Sequence, residues 1–161
     1  MLINNILYKS PVGELDIYFN ERSILGLYFR GGRHSLPTTS VEVMCTENPL
    51  IAQTMKELDE YFEGKRRIFN VPIEMQGSPF QKAVWERLIS VKFGETKTYL
   101  EIAKELGKPT ASRAVGGAVG KNPISIIVPC HRIIGTNGSL TGFAGGTETK
   151  KWLLFHEKEH N

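Results

Sequence analysis

The chain has 161 residues, 40% hydrophobic and 23% charged, enough to bury a core without covalent staples as one compact domain or two small ones. No apolar run approaches the roughly 20 residues of a bilayer-spanning helix, no secretory leader pattern opens the chain, and the two cysteines, Cys45 and Cys130, sit in unlike contexts. A membrane-spanning protein and a disulfide-stapled module are thereby set aside, and a reduced, cytoplasmic protein is expected. The net charge of +3 is unevenly shared: residues 1–77 carry 8 Lys+Arg against 10 Asp+Glu, leaving −2, and residues 78–161 carry 12 against 7, leaving +5. That asymmetry suits a second half that faces a polyanion, and equally an ordinary solvated surface.

Residues 2–30 predict a strand meander. Its segments are Leu2 to Tyr8, then Leu15, Ile17 and Phe19 alternating with Asp16, Tyr18 and Asn20, then Leu25, Leu27 and Phe29, with a turn at Asn20-Glu21-Arg22-Ser23. Gly31 to Thr46 has no clean period and reads as a loop, with His34 and Cys45 structural or exposed. Asn48-Pro49 supplies an N-cap and a first-turn proline for a helix whose apolar face is Leu50, Ile51, Met55, Leu58, Tyr61 and Phe62, closed by Gly64. Ile68 to Ile73 reads as a further strand and Met75-Gln76-Gly77 as a linker. The division is therefore 1–76, a small α+β domain, and 77–161.

Beyond the linker the pattern becomes helical. Ser78-Pro79-Phe80-Gln81 is a capping box opening a helix with Phe80, Val84, Trp85, Leu88 and Ile89 on one face. Thr98-Tyr99-Leu100-Glu101 is a second box, starting a helix that carries Ile102, Ala103 and Leu106 and stops at Gly107. Thr110 is the expected cap of a third helix through Ala111-Ser112-Arg113-Ala114-Val115-Gly116-Gly117-Ala118-Val119, so the pair forms a helix-turn-helix candidate. Two adjacent glycines cost that third helix about 1 kcal/mol each against alanine. Either another helix packs tightly on it, or a nucleic-acid backbone approaches where larger side chains would clash.

The run Ile126-Ile127-Val128-Pro129 then delivers Cys130 and His131, between Asn122-Pro123 upstream and a glycine-rich loop ending in Gly145-Gly146. A lone cysteine after apolar residues is commonly inert core. A proline before it can instead put it in a first helical turn, where free N–H groups favour thiolate.

The ordered set Gly77-Ser78-Pro79-Phe80-Gln81, Tyr99, Arg113-Ala114-Val115-Gly116-Gly117-Ala118, Asn122-Pro123, Pro129-Cys130-His131-Arg132, Gly145-Gly146 and Trp152-Leu153-Leu154 resembles the O6-alkylguanine-DNA alkyltransferases. The match is dense over 77–157; the first half resembles that family's ribonuclease H-like domain only in size and element order. The resemblance implies an α+β protein in which a small ribonuclease H-like domain precedes a mainly helical domain with a helix-turn-helix. It also implies irreversible, stoichiometric transfer of an alkyl group from guanine O6, or less efficiently thymine O4, to Cys130. His131 matches the base that acts through a water, Glu157 the carboxylate that orients it, and Asn122 the brace of the active-site turn. Tyr99 matches the donor to the departing purine and the wedge at its phosphate. Arg113 matches the finger that replaces the extruded nucleotide, and Ala111, Ser112, Ala114, Gly116, Gly117 and Ala118 the minor-groove surface around it.

In the pocket, the carbonyls of Cys130 and Ile133 would accept from the exocyclic amine, and the Ala144 N–H would hold O6. Phe143 stands where the family often has tyrosine, and Ala144 where some members have serine. No cofactor and no structural metal are expected, the expected partner is double-stranded DNA containing O6-alkylguanine, and a monomer without membrane attachment is expected. Other readings of the same residues are a damage-binding protein without transfer, against which Cys130 argues, a sequence-specific regulator, and a Cys-His hydrolase. Read alone, Glu157 fits a solvated helix face.

Overall fold

The computed structural model describes residues 3–32, 41–42, 48–140 and 142–161. Leu2, His34 and Cys45, and most of the loop expected over 31–46, lie outside the described residues. Strands β1 (Asn4–Ser10), β2 (Gly13–Phe19) and β3 (Ile24–Phe29) form the expected antiparallel meander, and β4 (Val41–Glu42) adds in parallel to β1, giving the order β3-β2-β1-β4. Asn20 makes the turn: its Oδ1 accepts from the Arg22 and Ser23 amides, both at 2.8 Å. Leu15, Ile17 and Phe19 are buried as their alternation requires. Tyr18 is buried too, on the other face, where it meets the edge of the Tyr28 ring.

Helix α1 (Pro49–Phe62) starts at the Asn48 cap and turns Ile51, Leu58 and Tyr61 into the core. The strand expected over 68–73 does not form; only Ile73 bridges, to Ile24. The reason lies in Glu57, whose buried carboxylate accepts from the Asn70 and Val71 amides and so takes the donors a ladder would need. Ile68 is left 72% exposed.

Helix α2 (Pro79–Ile89) and helix α3 (Tyr99–Glu105) both carry their expected capping boxes, at Ser78 and Thr98. Ile89 departs from the predicted buried face and is 48% exposed. Helix α4 (Ser112–Gly120) begins one residue later than expected: its N-cap is Ala111, without a side-chain bond, so Thr110 does not cap it. Strands β5 (Lys97–Thr98) and β6 (Ile133–Ile134) pair in parallel, and helix α5 (Thr147–Glu159) closes the chain against the turn at Cys130–Arg132. No helix among the described residues is long and apolar enough to cross a membrane.

Backbone bonds join the sheet to the segment before the cysteine. The Leu27 amide donates to the Pro123 carbonyl and the Ser125 amide to the Leu27 carbonyl, so β3 fixes residues 123–125 as an extra strand would.

Candidate active site

Cys130 opens a single 3₁₀ turn, Cys130–Arg132, with Pro129 before it. Asn122 holds the approach to that turn. Its Nδ2 donates to the Val128 carbonyl at 2.7 Å and its Oδ1 accepts from the Ile124 amide at 3.0 Å, closing residues 122–128 into a loop. Within it Ile126 takes φ +72°, a backbone region that costs a β-branched residue strain, so the loop is held by its surroundings rather than by local preference.

The sulfur is nearly enclosed, Cys130 being 5% exposed. Burial pushes its thiol up, against the Asn122 side chain, the Lys150 charge and the amides of Cys130 and His131, which pull it down. First-turn amides therefore do favour thiolate, as expected, but desolvation outweighs them. A small cavity beside the sulfur is lined by Tyr99, Asn122, Ser125, Phe143, Ala144 and Lys150. The Phe143 ring is set edge-on against Phe29 of β3, with centroids 5.5 Å apart. Gly145 must be glycine there, because a Cβ would come within 2.7 Å of the Phe143 ring and 2.9 Å of Phe29. Tyr99 is half-buried, and burial raises its phenol. The Ile133 carbonyl, expected to serve a substrate amine, already accepts from the Lys150 Nζ at 2.5 Å and retains one lone pair.

His131, next in the chain, is fully buried, and its Nε2 lies 2.5 Å from the Glu157 Oε2. A carboxylate only accepts, so the neutral imidazole carries its proton on Nε2, and Nδ1, a buried atom bonded to no protein group among the described residues, presents a lone pair. Burial lowers the His131 pKa, against the raising influence of Glu157. Glu157 is 1% exposed, so the solvated-face reading fails. Its carboxylate also accepts from Arg132 through Nε at 2.8 Å and Nη2 at 3.1 Å, from the Tyr61 hydroxyl at 2.6 Å and from the Gly94 amide at 3.1 Å. Burial alone would raise this carboxyl; the bonds and charges of His131 and Arg132 prevail and hold it well below the usual carboxylate range.

Arg113, Ala114 and Gly117 are exposed on α4, with Ala111, Ser112 and Gly116 partly so, while Ala118 turns inward and its carbonyl accepts from the Trp85 indole at 2.8 Å. The adjacent glycines do not serve internal packing alone: a Cβ on Gly117 would meet nothing within 4 Å, and one on Gly116 only the Tyr99 ring, at an ordinary 3.7 Å.

Sequence reasoning missed three participants. Arg132 was visible beside His131 but was given no task. Lys150 stands three residues before Leu153 and seven before Glu157, the spacing of one helix face, and a lysine on a buried stripe signals an internal cation. Tyr61 was read as core, correctly, but nothing local shows that its hydroxyl meets a carboxylate 96 positions away.

Two family models cover nearly the whole chain: the ribonuclease-like domain of 6-O-methylguanine DNA methyltransferase over residues 3–75 and its DNA binding domain over 79–159. The methylated-DNA–protein-cysteine methyltransferase of Methanosarcina acetivorans is 41% identical, over 92% of this chain and 94% of its own. That of Haemophilus influenzae is 43% identical, over 94% and 84%. The crystal structure of Mycobacterium tuberculosis O6-methylguanine methyltransferase superposes with a TM-score of 0.89 at 35% identity, covering 99% of this chain and 95% of that one. A structure of the M. tuberculosis protein in complex with DNA gives the same TM-score at 37% identity, over 98% and 94%. With both of its halves matched in order, the chain belongs to the 6-O-methylguanine DNA methyltransferase family, the methylated-DNA–protein-cysteine methyltransferases.

Proposed function

We propose that this methyltransferase repairs DNA by direct reversal, accepting the alkyl group of an extruded O6-alkylguanine on Cys130, and less efficiently that of O4-alkylthymine. The observation that carries this reading is the enclosure of the Cys130 sulfur beside a small cavity walled by Tyr99, Asn122, Phe143 and Ala144. A base still stacked in a duplex cannot enter such a cavity, so the target nucleotide must leave the stack, at a few kcal/mol of unpairing and unstacking. Arg113 fills the vacated position, and the small outer face of α4, with Ala111, Ser112, Ala114, Gly116 and Gly117, lies against the minor groove. The solved complex of the M. tuberculosis relative with DNA supports DNA as the partner.

The chemistry is a displacement at the alkyl carbon. The thiol proton passes through a water to the lone pair on His131 Nδ1. The sulfur forms the new S–C bond as the C–O6 bond breaks, its electron pair goes to the purine, and the Tyr99 hydroxyl protonates N3. The proton taken up by His131 then passes through solvent to restore the phenol. The raised thiol makes the base necessary, because a buried thiol at neutral pH holds its proton more tightly than a free one. The thioether does not revert, so each chain turns over once. Residues 77–161 carry DNA binding and transfer, and 1–76 forms the supporting domain. No cofactor enters this scheme; a cytoplasmic monomer performs it.

Intact and peptide mass spectrometry after equimolar mixing with a duplex containing one O6-methylguanine tests the reading. One added methyl on the Cys130 peptide, guanine restored in the DNA, and neither change in Cys130→Ser are the expected results. Tight binding with no mass change on any peptide would leave only a damage-binding protein.

A further inference from the structure

The Glu157 carboxylate takes one donor from the opposite half of the chain. Tyr61, on α1, donates its hydroxyl at 2.6 Å to Oε2, the oxygen that also receives His131 Nε2 at 2.5 Å and Arg132 Nη2 at 3.1 Å. Oε1 receives Arg132 Nε and the Gly94 amide. Tyr61 is wholly buried and held by ring contacts to Phe62, Phe69, Phe93 and His156, while its own carbonyl bonds His156 Nε2 at 2.7 Å. Its hydroxyl therefore cannot swing to another acceptor. Burial, then the neighbouring Glu157, raise this phenol well above its ordinary value, so it stays a protonated donor wherever the protein is folded.

We infer that Tyr61 is a positioning residue of the transfer reaction, through which the N-terminal half sets the basicity of His131 by sharing the charge of Glu157. This rests on the reading of His131 as the base. A carboxylate oxygen that accepts a strong bond from a phenol has less charge to offer the imidazole N–H beside it, so the hydroxyl holds His131 less basic than Glu157 alone would make it. The other groups acting on His131 are Glu157 and Lys150 from α5, and Arg132 from its own turn. All of them remain when the hydroxyl is removed.

The test is the pH dependence of transfer from free O6-methylguanine, a substrate that bypasses duplex binding. Tyr61→Phe keeps the ring packing and leaves Oε2 two donors. The expected result is an acid limb displaced upward by about half a pH unit or more, matched by the same displacement of the His131 ¹⁵N imidazole titration. Site-specific 3-fluorotyrosine at position 61, a stronger donor of nearly the same size, displaces both downward. Opposite shifts from two nearly isosteric changes are not produced by loss of stability. An unmoved limb and titration in both variants overturn the inference while His131→Ala still abolishes transfer. If His131→Ala reacts like the parent protein, the base assignment itself fails, and this inference with it.

Discussion

The surroundings of Glu157 and the outer face of α4 are opposite solutions within one half of the chain. Glu157 is 1% exposed, and Tyr61, Gly94, His131 and Arg132 converge on it, so that both oxygens are satisfied inside the molecule. On α4, Arg113, Ala114 and Gly117 face outward, and at Gly117 there is open space where a side chain would stand. The first region is complete without a partner; the second tolerates a helix-weakening glycine for which the folded chain has no use. Stability is concentrated around the buried carboxylate beside His131, and helix propensity has been given up where α4 faces outward.

The contrast breaks most severely at the carboxylate. Glu157→Gln leaves the Arg132 guanidinium buried and without its counter-charge, and removing one partner of such a pair costs about 3–5 kcal/mol. Denaturant unfolding of the variant is expected to show that loss, and transfer to Cys130 to fall with it. Stability within about 0.5 kcal/mol of the parent protein would mean that Glu157 is not the centre of this region.

A milder perturbation of the same region is acid. Burial lowers the His131 pKa from an ordinary 6.5, so between the two values the unfolded chain binds more protons than the folded one. The stability from keeping this imidazole neutral is then fully present above about pH 6.5 and declines as pH falls, by at most about 1.4 kcal/mol per pH unit for one group. The depressed Glu157 carboxyl adds a second loss in the same direction, beginning near the ordinary carboxylate range. Urea midpoints measured from about pH 8 down to about pH 4 should hold level and then drop; a level series to pH 5 would remove His131 from the account.

The two regions also differ in how far they could be read from the sequence. The small residues of α4 are consecutive, and their oddness in a helix is visible without a structure; only the inward turn of Ala118 and the missing Thr110 cap needed coordinates. The capping boxes at Ser78 and Thr98 were legible because such motifs are closed within four residues. The Glu157 region was half legible. Cys130, His131 and Glu157 could be placed by resemblance, but Tyr61 and Gly94 reach the carboxylate from separations of 96 and 63 residues, which no local pattern encodes. Residues 68–73 misled for the same reason: an apolar run suggests a strand, but its amide donors had been claimed by Glu57, 13 residues earlier in the chain.

The smallest effect on stability is the sharpest probe of the other region. Gly117→Leu puts a good helix former at an exposed position where a Cβ meets no neighbour, so the folded protein should gain about 0.5–1 kcal/mol. On the proposed function the same branched side chain stands where the minor groove approaches, so affinity for a duplex should drop tenfold or more, a cost of about 1.4 kcal/mol. Transfer from free O6-methylguanine, which needs Cys130 but no docking, should continue at the parent rate. Stability and duplex affinity would thus move in opposite directions from one substitution, as only a residue kept small for an outside partner would make them do. Undiminished duplex affinity, measured by fluorescence anisotropy at fixed salt, would move the docking surface off this face of α4 and leave the glycine without a role.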